Sequence, residues 1–534
     1  MKSGVFLGSD TGLRFLQIRE LIAQNWQSLA VRYPGQYLDP NFKYVPFYYA
    51  YALINNKIYL SISPFLPLLS SLFYNKLGMA GLPVVPVLSS LATAIGVYIL
   101  GKQQRIVYPH LAMWAAIIAT PLIFYTVVLW DHTLIAMCAV WSVVWLAYGW
   151  RQNKWWPALL SGATAGIGVG QRPEMYVIII SLALSLLVVF RSRFRMIIAF
   201  AVGLLLSILF IWWWQYGWYG HPLGMPTAHN LMGYGKPITH HLPLQGGNPV
   251  PQYAVASKFL GLLEARNIPG FGTFVLLMLS IVLMTIGLRR ERQTVLKIGF
   301  GFSLAGYGLC IGFGLQDFMS GLLPTFPLLV FAISTDPQAK DEDNLRITRF
   351  VLTTSAVFLA MMLAVWPAYG GLQWGARYLL PVYPLLMFLA FANFSDFVQR
   401  PSFGLPDDVK RMALSLLVIS ILIQSVGLWQ LDRQIEEQTK MRTLIEGIEA
   451  RVIMTNRPFL PAEMSSVTDK IFLYVSEEAD FYDLLPRFWR QGIREFAYVP
   501  SEYTQVLFLP VSIEGFRVQQ KDVYRYELIA LERE

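Results

Sequence analysis

Charge is scarce in this chain. Only 14% of its 534 residues are Asp, Glu, Lys or Arg, against about 25% in a soluble domain, too little polar surface to solvate a water-facing protein of this length. There are two cysteines, Cys138 and Cys310, both inside apolar runs, so no disulfide framework is implied. The sequence has no Walker A motif, no His-Glu-x-x-His, no Gly-x-Ser-x-Gly and no Cys-x-x-Cys, which removes most support for an ATP-driven pump or a zincin protease. It shows no internal repeat and no low-complexity tract.

What is present is apolar: 55% of residues are hydrophobic and the mean hydropathy is +0.47. Runs long enough to cross a hydrocarbon core of about 30 Å are predicted at 80–101, 108–125, 133–150, 155–171, 175–190, 196–214, 271–288, 298–314, 318–335, 350–367, 378–394 and 411–429. The expected fold is an all-α polytopic membrane protein of about twelve spans. A net charge of +9 could suggest nucleic acid, but the alternate loops "GKQQR", "RQNK", "RSRFR", "RRERQTVLK", "DPQAKDEDNLRITR" and "QRPSFGLPDDVKR" hold the excess Lys and Arg on one side. The positive-inside rule makes that side cytoplasmic. The basic balance is topological, and no nucleic-acid partner is needed to explain it.

The other side receives residues 1–79, "LWDHT", "QRPE", the loop 215–270, "GLQWGAR" and everything after 429. Three parts are expected: a first extracytoplasmic loop with interfacial helices (1–79), a transmembrane domain (80–429) and a small extracytoplasmic α/β domain (430–534). The start "MKSGVFLG" holds no signal-peptide core, so the outer placement of residues 1–79 is expected to depend on a further helix upstream of Met1 or on the next span moving the N-terminus across. An amphipathic helix is predicted over Leu13–Leu29, with Ser9 or Asp10 able to cap it, and a second interfacial segment over 58–76.

The chemistry-bearing candidates lie on this outer side. Asp10 could be an N-cap, or a carboxylate that takes a proton from an acceptor hydroxyl or ligates a divalent cation. Arg14 follows one turn later on the same face. Asp131 and His132 stand at a helix mouth, as a cap or as polar contacts to a sugar or phosphate. Pro173 and Glu174 suit a first helical turn, which leaves Arg172 without a partner that the fold requires. Arg377, beside Trp374 and Gly375, could snorkel or join Arg172 in clamping a phosphate. His221, in the long outer loop, is a further candidate substrate contact. Its eight-residue spacing from His229 fits no standard zinc pattern. "GATAGIGVG" reads as close helix packing rather than a phosphate loop, and "WWWQYGWY" as an interfacial belt.

"GSDTGLRFLQ", "WDHT", "RPE" and "WGARYLLPVYPLL", together with the layout of nearly the whole chain, resemble the GT-C membrane glycosyltransferases. The similarity is to bacterial relatives of the protein mannosyltransferases and aminoarabinose transferases. The resemblance implies a multi-pass protein of the inner membrane that moves a sugar from a polyprenyl-phosphate donor to an extracytoplasmic lipid, glycan or protein acceptor, with inversion. It assigns Asp10 as the catalytic acid of the first outer loop, and the polyprenyl-phosphate sugar and the bilayer as partners. Many relatives pair two acids in that loop, whereas Asp10 stands alone, so the resemblance implies no certain cofactor and leaves a divalent cation open. Asp10, Arg172 and Arg377 are expected to share one outer cavity. A secondary transporter or oligosaccharide flippase is the alternative; it predicts charges near the bilayer midplane and related halves, neither of which the sequence shows.

Overall fold

In the computed structural model the apolar runs become helices, and prolines mark where two of them break. The structure describes residues 4–47, 50–235, 271–316, 318–319, 321–335, 342–365, 373–399, 405–501, 507–513 and 515–531. These group into two units. One holds the described residues of 1–82, 216–249 and 433–534, the other those of 83–215 and 250–432.

The helical unit begins with α3 (Val84–Gln103), α4 (Pro109–Ile118), α5 (Leu122–Thr126), α6 (His132–Arg151), α7 (Trp156–Val169), α8 (Glu174–Val189) and α9 (Phe194–Tyr219). It continues with α11 (Phe271–Arg289), α12 (Gln293–Gly314), α13 (Leu322–Thr325), α14 (Leu329–Ile333), α15 (Glu342–Val365), a 3-10 turn at Arg377–Val382, α16 (Tyr383–Gln399) and α17 (Pro406–Gly447). Among the described residues eight helices are long and apolar enough to cross a membrane, so the chain is mostly helical and multi-pass. The expected spans 108–125 and 318–335 are each split in two. Pro121 stands at the start of α5 and Pro327 falls between α13 and α14, where a ring without an N–H interrupts the helical ladder.

Small residues let the helices of this unit approach closely. A Cβ at Gly162 of α7 would strike the Phe200 carbonyl of α9, and one at Gly166 would strike the Ser207 hydroxyl, as the close-packing reading of "GATAGIGVG" expects. The basic loops grouped on one side by the alternation touch one another. Asn344 donates to the Gln104 carbonyl at 3.3 Å, Arg151 bonds Asn344, Arg193 lies 5.1 Å from the Trp150 ring, and Gln293 donates to Asp408 at 2.6 Å.

The other unit begins with α1, which runs Gly8–Ala23 rather than Leu13–Leu29. It stops early because Asn25 and Trp26 adopt left-handed backbone angles (φ 51° and 57°). Its N-cap is Leu7 and makes no side-chain capping bond, so neither Ser9 nor Asp10 is the cap. Thr11, Arg14, Gln17 and Glu20 are buried along with the apolar residues; the helix lies inside the unit. The segment 58–76 divides into a strand, β2 (Lys57–Leu60), paired antiparallel with β1 (Tyr51–Ile54), and α2 (Phe65–Leu77), which starts after Pro64. The loop 215–270 is helical in part: α9 extends to Tyr219 and α10 covers Gly224–Met232. Its residues 236–270 lie outside the described residues. Trp213 and Tyr216, near the end of α9, are exposed, as suits an interfacial belt.

After α17 come β3 (Val452–Thr455), α18 (Leu460–Glu463), β4 (Ile471–Tyr474), α19 (Ala479–Arg490), β5 (Glu495–Val499), β6 (Ser512–Ile513), β7 (Phe516–Gln520) and β8 (Arg525–Ala530). The sheet order is β4-β3-β5-β8-β7-β6. Its first two pairings are parallel and the rest antiparallel. One core joins the two chain ends: Tyr33, Phe42, Tyr44 and Tyr51 pack with Met454, Leu473, Phe481 and Phe488. Fully burying side chains of this size contributes about 1.5–3 kcal/mol each. The Tyr44 hydroxyl donates to Asp483 at 2.6 Å, Lys43 pairs with Asp480 at 3.3 Å, and the Tyr474 amide donates to the Tyr44 carbonyl at 2.9 Å. The stretches before α3 and after α17 thus share one hydrophobic interior.

Candidate functional site

The α7–α8 turn carries the first component. Gln171 closes it by donating its amide to the Gly168 carbonyl at 2.9 Å, Pro173 takes the N-cap position and Glu174 the first helical position. This places Arg172 between two acids. Its Nη1 donates to Asp131 Oδ1 at 2.9 Å, and its Nε and Nη2 reach Glu174 Oε1 at 2.9 and 2.8 Å. Asp131 stands at the N-cap position of α6 without making a capping bond; its carboxylate is turned to Arg172. The expectation that Arg172 lacks a structural partner is therefore corrected. Both acids are buried, and in low dielectric a charge is tolerated only when paired, so the guanidinium and the two carboxylates are held as a group.

"WGARY" builds the second component. Trp374 is fully buried and donates its indole N–H to Gln424 of α17 at 3.0 Å. A Cβ at Gly427 would come within 2.5 Å of the Trp374 ring. Gly375 then turns with φ +68°, in a place where a side chain would also strike Pro121. Only glycine accepts that angle and that contact together. Arg377 emerges from the turn with its guanidinium 5.4 Å from the Trp130 ring and 5.0 Å from the Tyr378 ring, and Nη2 donates to the Tyr378 hydroxyl at 3.0 Å.

Tyr378 joins the two components, because Arg172 also lies over its ring at 5.8 Å. His132 packs edge-on against Tyr125, Trp130 and Tyr378 at 5.2, 5.8 and 6.4 Å. The structure brings Asp131, His132, Arg172, Glu174 and Arg377 together at the starts of α6, α8 and the Arg377 turn. Several buried polar atoms here have no hydrogen-bond partner among the described residues: Glu174 Oε2, Thr133 Oγ1, Gln171 Oε1 and the Trp130 indole N–H. Buried polar groups are ordinarily satisfied, so these atoms await water or a polar ligand. Trp130, Tyr125 and Tyr378 were missed as site residues, although Trp130 and Tyr378 adjoin Asp131 and Arg377 in the sequence.

Asp10, Arg14 and His221 belong to the other unit. Arg14 is buried and donates to the Asp10 carbonyl at 2.7 Å. His221 packs on Tyr234 at 4.9 Å and accepts from the Leu223 amide through Nδ1 at 3.3 Å. Glu463, at the end of α18, lies where α1 comes closest: a Cβ at Gly12 would meet the Ala462 carbonyl. Burial pushes the Glu463 carboxyl up to about 7 against the opposing pull of Gln438 and Arg457. Among the described residues no three His, Cys, Asp or Glu side chains are grouped to hold a metal ion.

No protein-family model and no curated protein matches the chain. The chain aligns with solved structures of ArnT and of an archaeal oligosaccharyltransferase. ArnT from Cupriavidus metallidurans bound to undecaprenyl phosphate aligns over 98% of this chain and 94% of its own, with TM-score 0.44 and 11% identity. The apo oligosaccharyltransferase of Archaeoglobus fulgidus aligns over 92% of this chain, which spans 66% of its length, with TM-score 0.46 and 11% identity.

Proposed function

We propose that this protein is a membrane glycosyltransferase that moves a sugar from a polyprenyl-phosphate donor to an extracytoplasmic lipid, glycan or protein acceptor. The observation that carries the reading is the buried Asp131–Arg172–Glu174 group beside an aromatic-held Arg377, all at helix starts rather than at mid-span. A donor whose tail lies in lipid presents its phosphate at such a level.

In this reading Asp10, assigned by the sequence resemblance, takes the proton of the acceptor hydroxyl. The acceptor oxygen bonds to the anomeric carbon from the face opposite the leaving group. The glycosyl carbon–oxygen bond breaks, and its electron pair leaves with the polyprenyl phosphate. Arg377 opposes the charge that grows on that phosphate, a placement that stabilises transition states. Glu174 Oε2 and Asp131, held by Arg172, accept sugar hydroxyls, and His132 supplies an edge of the same surface. Arg14 and His221 are further contacts to donor or acceptor. The reading carries the finer topology too: twelve crossings of the inner membrane, with the residues after 429 outside.

A secondary transporter or flippase would place its charges near the bilayer midplane; the charges of this cluster stand at helix ends. The deciding experiment incubates the purified full-length protein with polyprenyl-phosphate sugars and follows release of the lipid phosphate. Release that depends on added acceptor is expected. Movement of the intact lipid-linked sugar across a vesicle membrane without release would establish the transporter instead.

A further inference from the structure

The segment Arg377–Gln399 has polar ends. Arg377 belongs to the site above; at the other end, roughly 30 Å along the helix, lies a second polar feature that the proposed transfer does not use. It is a cavity of about 170 Å³ in the helical unit, lined by Gln104, Arg105, Thr335, Thr348, Asn393 and Asp396 among others. This is roughly tenfold the space that one water needs.

Gln104 is 6% exposed, and neither its Oε1 nor its Nε2 has a hydrogen-bond partner among the described residues. Its backbone is accounted for, since the amide donates to the Leu100 carbonyl and the carbonyl accepts from Asn344. Asn393 is held by Nδ2, which donates to the carbonyls of Phe331 and Ala332 at 2.8 and 3.1 Å, while its Oδ1 has no such partner. The wall therefore offers one carboxamide with both ends open, a second carbonyl acceptor and the Thr348 side chain. One base, Arg105, and one acid, Asp396, balance in charge.

We propose that this cavity binds a small polyhydroxylated group, either a sugar ring or the glycerol of a lipid headgroup. A vicinal diol engages both ends of a primary carboxamide: one hydroxyl donates to Oε1 while the other accepts from Nε2. A third hydroxyl, which a sugar ring carries and a phosphoglycerol headgroup does not, donates to Asn393 Oδ1. A phosphate alone would leave both carbonyl oxygens unsatisfied, and an apolar chain would leave all three atoms so, which buried polar groups do not tolerate without cost. The basic loops place this cavity toward the cytoplasmic leaflet, at the opposite end of the segment from Arg377.

The test uses the purified full-length protein in detergent and reads thermal unfolding as phosphatidylglycerol, phosphatidic acid or glucose is titrated. Phosphatidylglycerol or glucose should raise Tm, and phosphatidic acid, which carries charge but no headgroup hydroxyls, should not match it. Gln104→Met should weaken the apparent affinity about tenfold, as expected for two neutral hydrogen bonds lost. Thr348→Val, on another wall, should weaken it as well and carries the test if Gln104→Met fails to fold. Arg377→Ala should leave the shift intact, which separates this site from the proposed transfer site. A response to glucose identifies a free sugar as one source, and a response to phosphatidylglycerol alone identifies a lipid headgroup. Equal shifts with phosphatidic acid and none with glucose would reduce the cavity to a hydrated void and overturn the proposal. Unchanged affinity in the folded variants would also overturn it.

Discussion

Asp131 and Arg172 stand 41 residues apart in the chain, and an oxygen of one lies 2.9 Å from a nitrogen of the other. Arg172 also holds Glu174, so a single guanidinium bonds two buried carboxylates that belong to different helices. This group fixes the start of α6 against the start of α8.

Removing the cation alone should be costly. Arg172→Ala leaves two uncompensated buried acids and is expected to destabilise the protein by about 3–5 kcal/mol. The triple change of Arg172→Met, Asp131→Asn and Glu174→Gln removes all three charges and should cost less than the single change. Thermal unfolding of the purified variants decides this; a single variant as stable as the wild type would dissolve the group as a structural unit.

Asp10 and Arg377 should affect turnover more than folding. The Asp10 side chain is not the cap of α1, and a carboxylate in a first helical turn contributes only about 0.3–1 kcal/mol. Asp10→Asn should abolish transfer with a Tm close to that of the wild type. Arg377→Ala should raise the barrier by about 2–4 kcal/mol, the range for charge-stabilising groups. Full activity in Asp10→Asn would remove it from the mechanism.

Glu463 gives the unit that holds the two chain ends a pH dependence. Its carboxyl titrates at about 7 in the folded protein against 4.5 when unperturbed, because burial disfavours the charge. Between those values the unfolded chain has lost a proton that the folded chain keeps, so stability falls as pH rises from about 4.5 to about 7 and then levels off. The fall is on the order of 3 kcal/mol. Glu463→Gln should flatten that interval and be the more stable protein at pH 8. A variant with the wild-type pH profile would assign the dependence elsewhere.

The contact of α1 with α18 can be tested at Gly12. Any Cβ there meets the Ala462 backbone carbonyl, which cannot rotate away as a side chain would. Gly12→Ala should therefore destabilise the protein by about 1–3 kcal/mol, the usual penalty of overpacking. A Tm unchanged from wild type would mean that the two segments do not pack as described.

Orientation is open to labelling. The two native cysteines are buried, so single cysteines introduced at Arg290 and at exposed Val523 report without background. In intact cells an impermeant maleimide should label position 523 and spare position 290. The reverse pattern would invert the topology.

The apolar runs by themselves determined where the long helices lie, because a run of that length has one economical state in lipid. The alternation of basic loops groups these loops on one side, while which of them meet, as Arg151 with Asn344 and Gln293 with Asp408 do, is a matter of tertiary packing. Likewise the β-rich runs after 429 gave β3, β4, β5 and β8, and "EADFYDLLPRFWRQG" gave α19, since strand and helix periods differ. The charged candidates at helix mouths were also legible, being few in so apolar a chain. Tertiary structure alone decided that Arg172 is shared by two acids, that Trp130 and Tyr378 hold Arg377, and that Tyr44 completes a core with Phe481 and Leu473. Those relationships join segments far apart in the chain. Local pattern records which face a residue prefers, whereas the partner it meets there depends on how separate elements pack, and no short stretch of sequence encodes that.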